Sequence, residues 1–223
     1  MKPKDLANFI DHTLLKPDAT KQQIRKLCEE ALEHHFYAVC VNSFHLATCT
    51  EILRNTKVKL ACVVGFPLGA TETSVKSFEA SRVISLGADE IDMVLNIGAL
   101  KAKDYSFVEK EISELVRVAK GSTVKVILET SLLTDEEKTK ACKISVHAGA
   151  HFVKTSTGFG GGGATVKDVR LMKSAVGEKA LIKASGGVKN FESAIALIQA
   201  GASRLGTSSG VLLVTGQEIK SGY

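Results

Sequence analysis

Short β-branched runs alternate with amphipathic helical stretches along the 223 residues, and this predicts an α/β chain folded as a single-domain (β/α)8 TIM barrel. Two further observations support that fold. The β-branched runs are too apolar for a sheet with one wet face, so they read as parallel strands covered on both sides. Eight of them, at about 28 residues per strand–helix unit, suit a barrel near the lower end of the usual size range. No Pro- or Ser-rich linker breaks the alternation, so one domain over 1–223 is expected, with a short C-terminal tail at about 216–223.

The strands are expected at 9–13, 37–41, 59–64, 90–95, 124–129, 151–155, 180–184 and 203–206. Helices are expected between them. The stretch 20–34 places Ile24, Leu27, Ala31 and Leu32 on one face, and 73–86, 105–119, 134–148, 166–176 and 191–200 behave likewise. Thr134 with Glu137 has the spacing of a capping box, and Asn190 suits the N-cap before Phe191. Three Gly-Ala steps, at Gly87, Gly149 and Gly201, end helices and lead into strands about two strand–helix units apart. They mark the fourth, sixth and eighth strands. The fifth residue after each glycine is Asp92, Lys154 and Gly206, and alternate barrel strands share interior layers. Asp92 and Lys154 are therefore expected in one layer, beside a glycine with no side chain.

The composition excludes several function classes. With 44% apolar and 24% charged residues, disorder is not the main state. The apolar runs, such as 60–64, fall far short of the ~20 residues that span a bilayer, so no membrane partner is expected. Cysteines 28, 40, 49, 62 and 142 are odd in number and lack CxxC spacing, and the N-terminus has no apolar core of signal-peptide length. Both point to a reducing, cytoplasmic setting. A net charge of +5, no Trp and 5% aromatics leave little with which to bind nucleic acid, whereas a small anionic substrate is compatible.

Three ionisable residues interrupt apolar strands: Asp92, Lys154 and Lys183. A charge on a buried strand is expensive unless paired, so each reads singly as a structural ion pair or a strand-end residue reaching solvent. Together they say more. The two lysines lie one unit apart toward the C-terminal ends of adjacent strands, the end at which barrel enzymes place catalysis. A nucleophilic lysine must be neutral, and a second ammonium nearby favours that state. Lys59 and Lys125, at strand starts, are expected at the opposite rim in structural roles. Cys40 reads as a small buried residue.

The run Gly158-Phe-Gly-Gly-Gly-Gly163 contains GxGxxG, but it lies late in the chain and is followed about 20 residues on by Lys183 rather than an acid, so a dinucleotide site is not expected. Gly186-Gly187 and Gly206-Thr-Ser-Ser-Gly210 follow the seventh and eighth strands, and the latter opens a short helix. That is the usual phosphate site of the fold. His147 and His151 are separated by a helix-ending glycine and are not expected to form a metal pair.

Ile91-Asp-Met-Val-Leu-Asn96, Phe152-Val-Lys-Thr-Ser-Thr-Gly158, Ile182-Lys-Ala-Ser-Gly-Gly187 and Gly206-Thr-Ser-Ser-Gly210 together resemble the deoxyribose-phosphate aldolase family. So do Ile10-Asp-His-Thr-Leu-Leu-Lys16 and Phe66-Pro-Leu-Gly69. The resemblance covers essentially the whole chain. It implies a metal-free lyase with no cofactor that cleaves 2-deoxy-D-ribose 5-phosphate reversibly to glyceraldehyde 3-phosphate and acetaldehyde through a lysine Schiff base. It further implies Lys154 as the Schiff-base lysine and Asp92 and Lys183 as proton-transfer residues. Gly158, Gly186, Gly187, Ser208 and Ser209 fall on the phosphate loops, and the terminal Tyr223 is a further proton-transfer candidate. A homo-oligomer, dimer or tetramer, is expected. The competing readings are another Schiff-base phosphosugar aldolase of the same fold and a non-catalytic phosphometabolite-binding barrel.

Overall fold

The computed structural model describes residues 2–216. Its strands are β1 (Ile10–Leu14), β2 (Ala38–Val41), β3 (Lys59–Val64), β4 (Glu90–Val94), β5 (Thr123–Ile127), β6 (Phe152–Lys154), β7 (Leu181–Ser185) and β8 (Arg204–Thr207). They are parallel and close in chain order into a barrel, with β8 pairing back to β1. The helices are α1 (Lys21–Glu33), α2 (Leu46–Leu53), α3 (Thr73–Ser85), α4 (Ile97–Lys101), α5 (Tyr105–Val118), α6 (Asp135–His147), α7 (Val166–Val176), α8 (Phe191–Gln199) and α9 (Gly210–Thr215).

The expected strands and helices are present within about two residues of their expected ends. Thr134 and Glu137 form the capping box of α6, and the Asn190 side chain accepts from the Ser193 N–H at the start of α8. The Gly-Ala glycines lie just past the ends of α3, α6 and α8, each with positive φ. Two helices carry no clear signal in the sequence. α2 follows a 3-10 turn at Ser43–His45 and has only eight residues, and α4 is a single turn and a half. Both are too short for an apolar period to stand out.

Strand alternation sorts the side chains. Ile91, Met93, Val124, Val126, Val153, Ile182 and Leu205 point outward into the main apolar core under the helices. Each such fully buried side chain contributes roughly 1.5–3 kcal/mol of hydrophobic stabilisation. A small second apolar group, Leu15, Cys40, Ala61 and Val63, fills the β1–β3 side of the barrel interior. The rest of the interior, from β4 round to Asp11 of β1, is filled with charge. This is unusual, because barrel interiors are dominated by bulky branched side chains.

The Gly-Ala steps do set the register. Asp92 Oδ2 lies 2.8 Å from Lys154 Nζ, and Cys40 Sγ of β2 lies 3.9 Å from the same carboxylate. Gly206 of β8 completes this layer. Two residues earlier on the same strands lie Glu90, Phe152 and Arg204. Between the two layers stand Asp11, Ala61, Lys125 and Lys183 from the odd strands. Lys59 begins β3 half-exposed and pairs with Asp89 at 3.2 Å, as its strand-start position suggests. Lys125 departs from the expectation of a place at the opposite rim. β5 begins at Thr123, so its third residue, Lys125, is turned inward and fully buried, with Nζ 2.7 Å from Asp92 Oδ1.

Candidate active site

A cavity of about 530 Å³ opens at the C-terminal end of the barrel, formed by the loops after β1, β6, β7 and β8. Gly158, Gly186, Gly187, Ser208 and Ser209 all line it, as does Lys154. The sequence places these six on three separate loops and strands, and the fold brings them to one hollow. Asp92 and Lys183 are fully buried and lie beneath that hollow rather than on its wall. Tyr223 lies outside the described residues.

Asp92 is the hub of the buried charges. Its Oδ2 accepts from Lys154 at 2.8 Å and from Lys183 at 2.7 Å, and its Oδ1 accepts from Lys125 at 2.7 Å. Burial alone would raise the Asp92 carboxyl, but its lysine neighbours, Lys125 foremost, outweigh it and hold that carboxyl well below the usual range. Lys183 also donates to Asp11. Burial alone would lower Lys183, but the Asp11 and Asp92 carboxylates win and push it up, so it is an ammonium at neutral pH. Asp11 is lowered in the same way, with Lys183 and then Arg204 overcoming its burial. Arg204 closes the bottom of the network, with Nε 2.8 Å from Asp11 and a terminal nitrogen 2.6 Å from Glu90. Its guanidinium stacks 3.4 Å from the centre of the Tyr37 ring.

The glycine loops are shaped by close approach. A Cβ at Gly163 would come within 2.5 Å of the Gly186 carbonyl oxygen. The neighbouring Ala164 N–H donates to the carbonyls of Ser185 and Gly186 at 3.1 and 3.0 Å. The β6–α7 glycine run thus binds the β7 loop, and the GxGxxG match is a product of that packing. On its other side, Glu129 holds the loop by accepting from both the N–H and the hydroxyl of Thr157.

Several residues of this site were not read from sequence. Lys16 and Lys189 also line the cavity and add positive charge at its mouth. Asp11, Glu90, Lys125 and Arg204 belong to the buried network. A signal for two of these was available: on a strand, the residue two before an inward one also points inward, which gives Glu90 from Asp92 and Arg204 from Gly206. His147 instead pairs with Glu109 at 2.8 Å on the surface, and His151 Nδ1 accepts from the Val124 N–H. Cys40 is buried in the interior, as expected of a small core residue.

Gly206 gives Lys183 its room. A Cβ there would stand 2.8 Å from Ser185 Cβ and 3.2 Å from Lys183 Cε. Gly206→Ala is expected to push Lys183 off Asp92 and lower kcat roughly 10–100-fold, through misplacement rather than loss of a group. Steady-state kinetics check this, and a near-native kcat would show that the layer accommodates a methyl.

The comparisons with known proteins come down on one side. A family model described as DeoC/LacD family aldolase matches residues 6–214. A protein of Bdellovibrio bacteriovorus named deoxyribose-phosphate aldolase is 57% identical over 218 residues, covering 98% of this chain and 99% of the relative. One of Thermococcus kodakarensis with the same name is 57% identical over 220 residues, covering 97% and 98%. Among solved structures, one described as a unique tetrameric deoxyribose phosphate aldolase from Aeropyrum pernix superposes with a TM-score of 0.90. It has 36% identity and covers 96% of this chain and 92% of that one.

Proposed function

The chain belongs to the DeoC/LacD family of aldolases, and from that premise we propose that its chemistry is carried on Lys154 as an iminium ion, with Asp92 and Lys183 moving the protons. The reaction is aldol cleavage of 2-deoxy-D-ribose 5-phosphate to glyceraldehyde 3-phosphate and acetaldehyde, the activity for which its relatives are named. One observation carries the choice of Lys154. Of the seven ionisable side chains in the buried network of the described residues, it alone lines the cavity.

The neutral Lys154 amine adds to the aldehyde carbon of the open-chain sugar, and loss of water gives the iminium. A base takes the proton of the 3-hydroxyl, C3 becomes the new aldehyde, and the electrons of the C2–C3 bond move to form the enamine. Protonation of the enamine at C2 and hydrolysis of the resulting iminium release acetaldehyde and restore the amine. Asp92, hydrogen-bonded to Lys154, relays protons to and from it, with Lys183 behind. The fixed Lys183 ammonium also disfavours a second charge on Lys154 and stabilises developing oxyanions.

Gly158, Gly186, Gly187, Ser208 and Ser209 hold the phosphate through loop N–H groups and hydroxyls, with Lys16 and Lys189 complementing its charge. The grip holds the reacting end of the sugar near Lys154. A homo-oligomer fits the tetrameric relative and would cover the exposed Phe44, Leu68 and Phe78. Five unpaired cysteines support a cytoplasmic setting.

Borohydride added with acetaldehyde should label Lys154 alone, read by peptide mass. Labelling at Lys183, or no labelling, would overturn the assignment.

A further inference from the structure

Among the described residues, the ion-pair network of the barrel interior holds three carboxylates, Asp11, Glu90 and Asp92, and four basic side chains, Lys125, Lys154, Lys183 and Arg204. The inward residues of β3, Ala61 and Val63, do not ionise. β2 contributes Cys40, whose thiol is pushed up by burial and stays uncharged. Tyr37, just before β2, stacks on Arg204, Lys16 and Lys189 share the open cavity with Lys154, and the buried Glu129, after β5, is turned to Thr157 of the β6 loop. With every group ionised, these seven side chains would carry one unbalanced positive charge in a largely desolvated interior, a state that buried sites avoid by losing a proton.

The contacts single out which proton is lost. Lys125 lies 2.7 Å from Asp92 and 2.6 Å from Glu90, Lys183 bridges Asp11 and Asp92, and Arg204 bridges Asp11 and Glu90. Arg204 in any case keeps its charge in proteins. Among the described residues, Lys154 has Asp92 as its single carboxylate partner and faces the cavity. We infer that Arg204 and Glu90, at the floor of the barrel, are positioning residues that set the charge of Lys154 through the balance of the whole network, without touching it. Neutral Lys154 leaves three negative and three positive charges. The inference rests on Lys154 being the Schiff-base lysine and extends control of its nucleophilicity to two residues a layer below.

Opposite substitutions at the floor must then act in opposite directions. Arg204→Met removes a positive charge, so a protonated Lys154 would balance the network. Glu90→Gln removes a negative one, so Lys154 is driven harder toward the amine. The double variant restores the balance, and Arg204→Lys keeps it.

The test is cyanoborohydride trapping of acetaldehyde at Lys154, quantified by peptide mass across pH in the whole protein. The acid limb of the profile should move up by about 1 pH unit in Arg204→Met and down by about 1 unit in Glu90→Gln. It should return to the wild-type position in the double variant and stay there in Arg204→Lys. A purely structural floor predicts lower yields with the limb unmoved, or both single variants moved the same way, and either result overturns the inference. If Arg204→Met fails to fold, Glu90→Gln against the charge-balanced double variant still gives the sign. Absence of a Lys154 label in the wild-type protein would instead refute the Schiff-base reading itself.

Discussion

Replacing Lys154 by methionine should abolish cleavage and leave the fold standing. The loss expected for a covalent nucleophile is at least about 10⁴-fold in kcat, with no trapped adduct at any pH. The stability result follows from the same geometry. Methionine has a length and volume close to lysine, and Asp92 keeps Lys125 and Lys183 as partners at 2.7 Å each. The interior then holds three negative and three positive charges. The melting temperature should therefore stay within a few degrees of the wild type. Lys183→Met is the control. It strips the shared partner from Asp11 and Asp92, two buried carboxylates, and should cost about 3–5 kcal/mol. Thermal unfolding of the two variants beside a cleavage assay decides. Equal destabilisation would show that Lys154 is as much a structural cation as Lys183.

The contrast between those two lysines also marks how far the sequence could be read. The alternation, the strand order and the shared layer of Asp92, Lys154 and Gly206 were legible because each rests on a local period: two along a strand, and two strand–helix units between Gly-Ala steps. The loops that line the cavity were legible because glycines cluster directly after the last three strands, where this fold opens its site. What was hidden is pairing across the barrel. Asp11 and Arg204 are 193 residues apart in the chain and 2.8 Å apart in space. Nothing along the sequence says that Lys125 faces Asp92, and a shift of one residue in the start of β5 was enough to suggest the far rim. A strand that starts one residue earlier keeps each side chain on its face but draws its early residues from the rim into the barrel, so strand-end placement is where such a reading fails.

Asp92→Asn should remove both activity and stability, and the stability loss should depend on pH with a definite sign. Three lysine nitrogens converge on this carboxylate, and an amide must turn its N–H₂ donors toward at least one of them. Breaking a buried charge cluster on one side costs about 3–5 kcal/mol. Turnover should fall by about 10²–10⁴, the usual range for a proton-transfer group, while KM stays close to wild type because Asp92 lies off the cavity wall formed by the loops proposed to hold the phosphate. The folded-state carboxyl is held well below its ordinary value, chiefly by Lys125 working against burial. A carboxyl so depressed stabilises the native state above its unfolded value of about 3.9, and that contribution drains away as pH falls toward the folded value. The stability gap between wild type and Asp92→Asn should thus be constant from neutral pH down to about 4 and narrow below it. Asp11, depressed in the same way, is present in both proteins and largely cancels in the difference. Urea unfolding at pH 7, 4 and 3 measures the gap. A gap that holds or widens in acid would mean that Asp92 is not the carboxylate those lysines sustain, and near-native turnover would make it a structural residue alone.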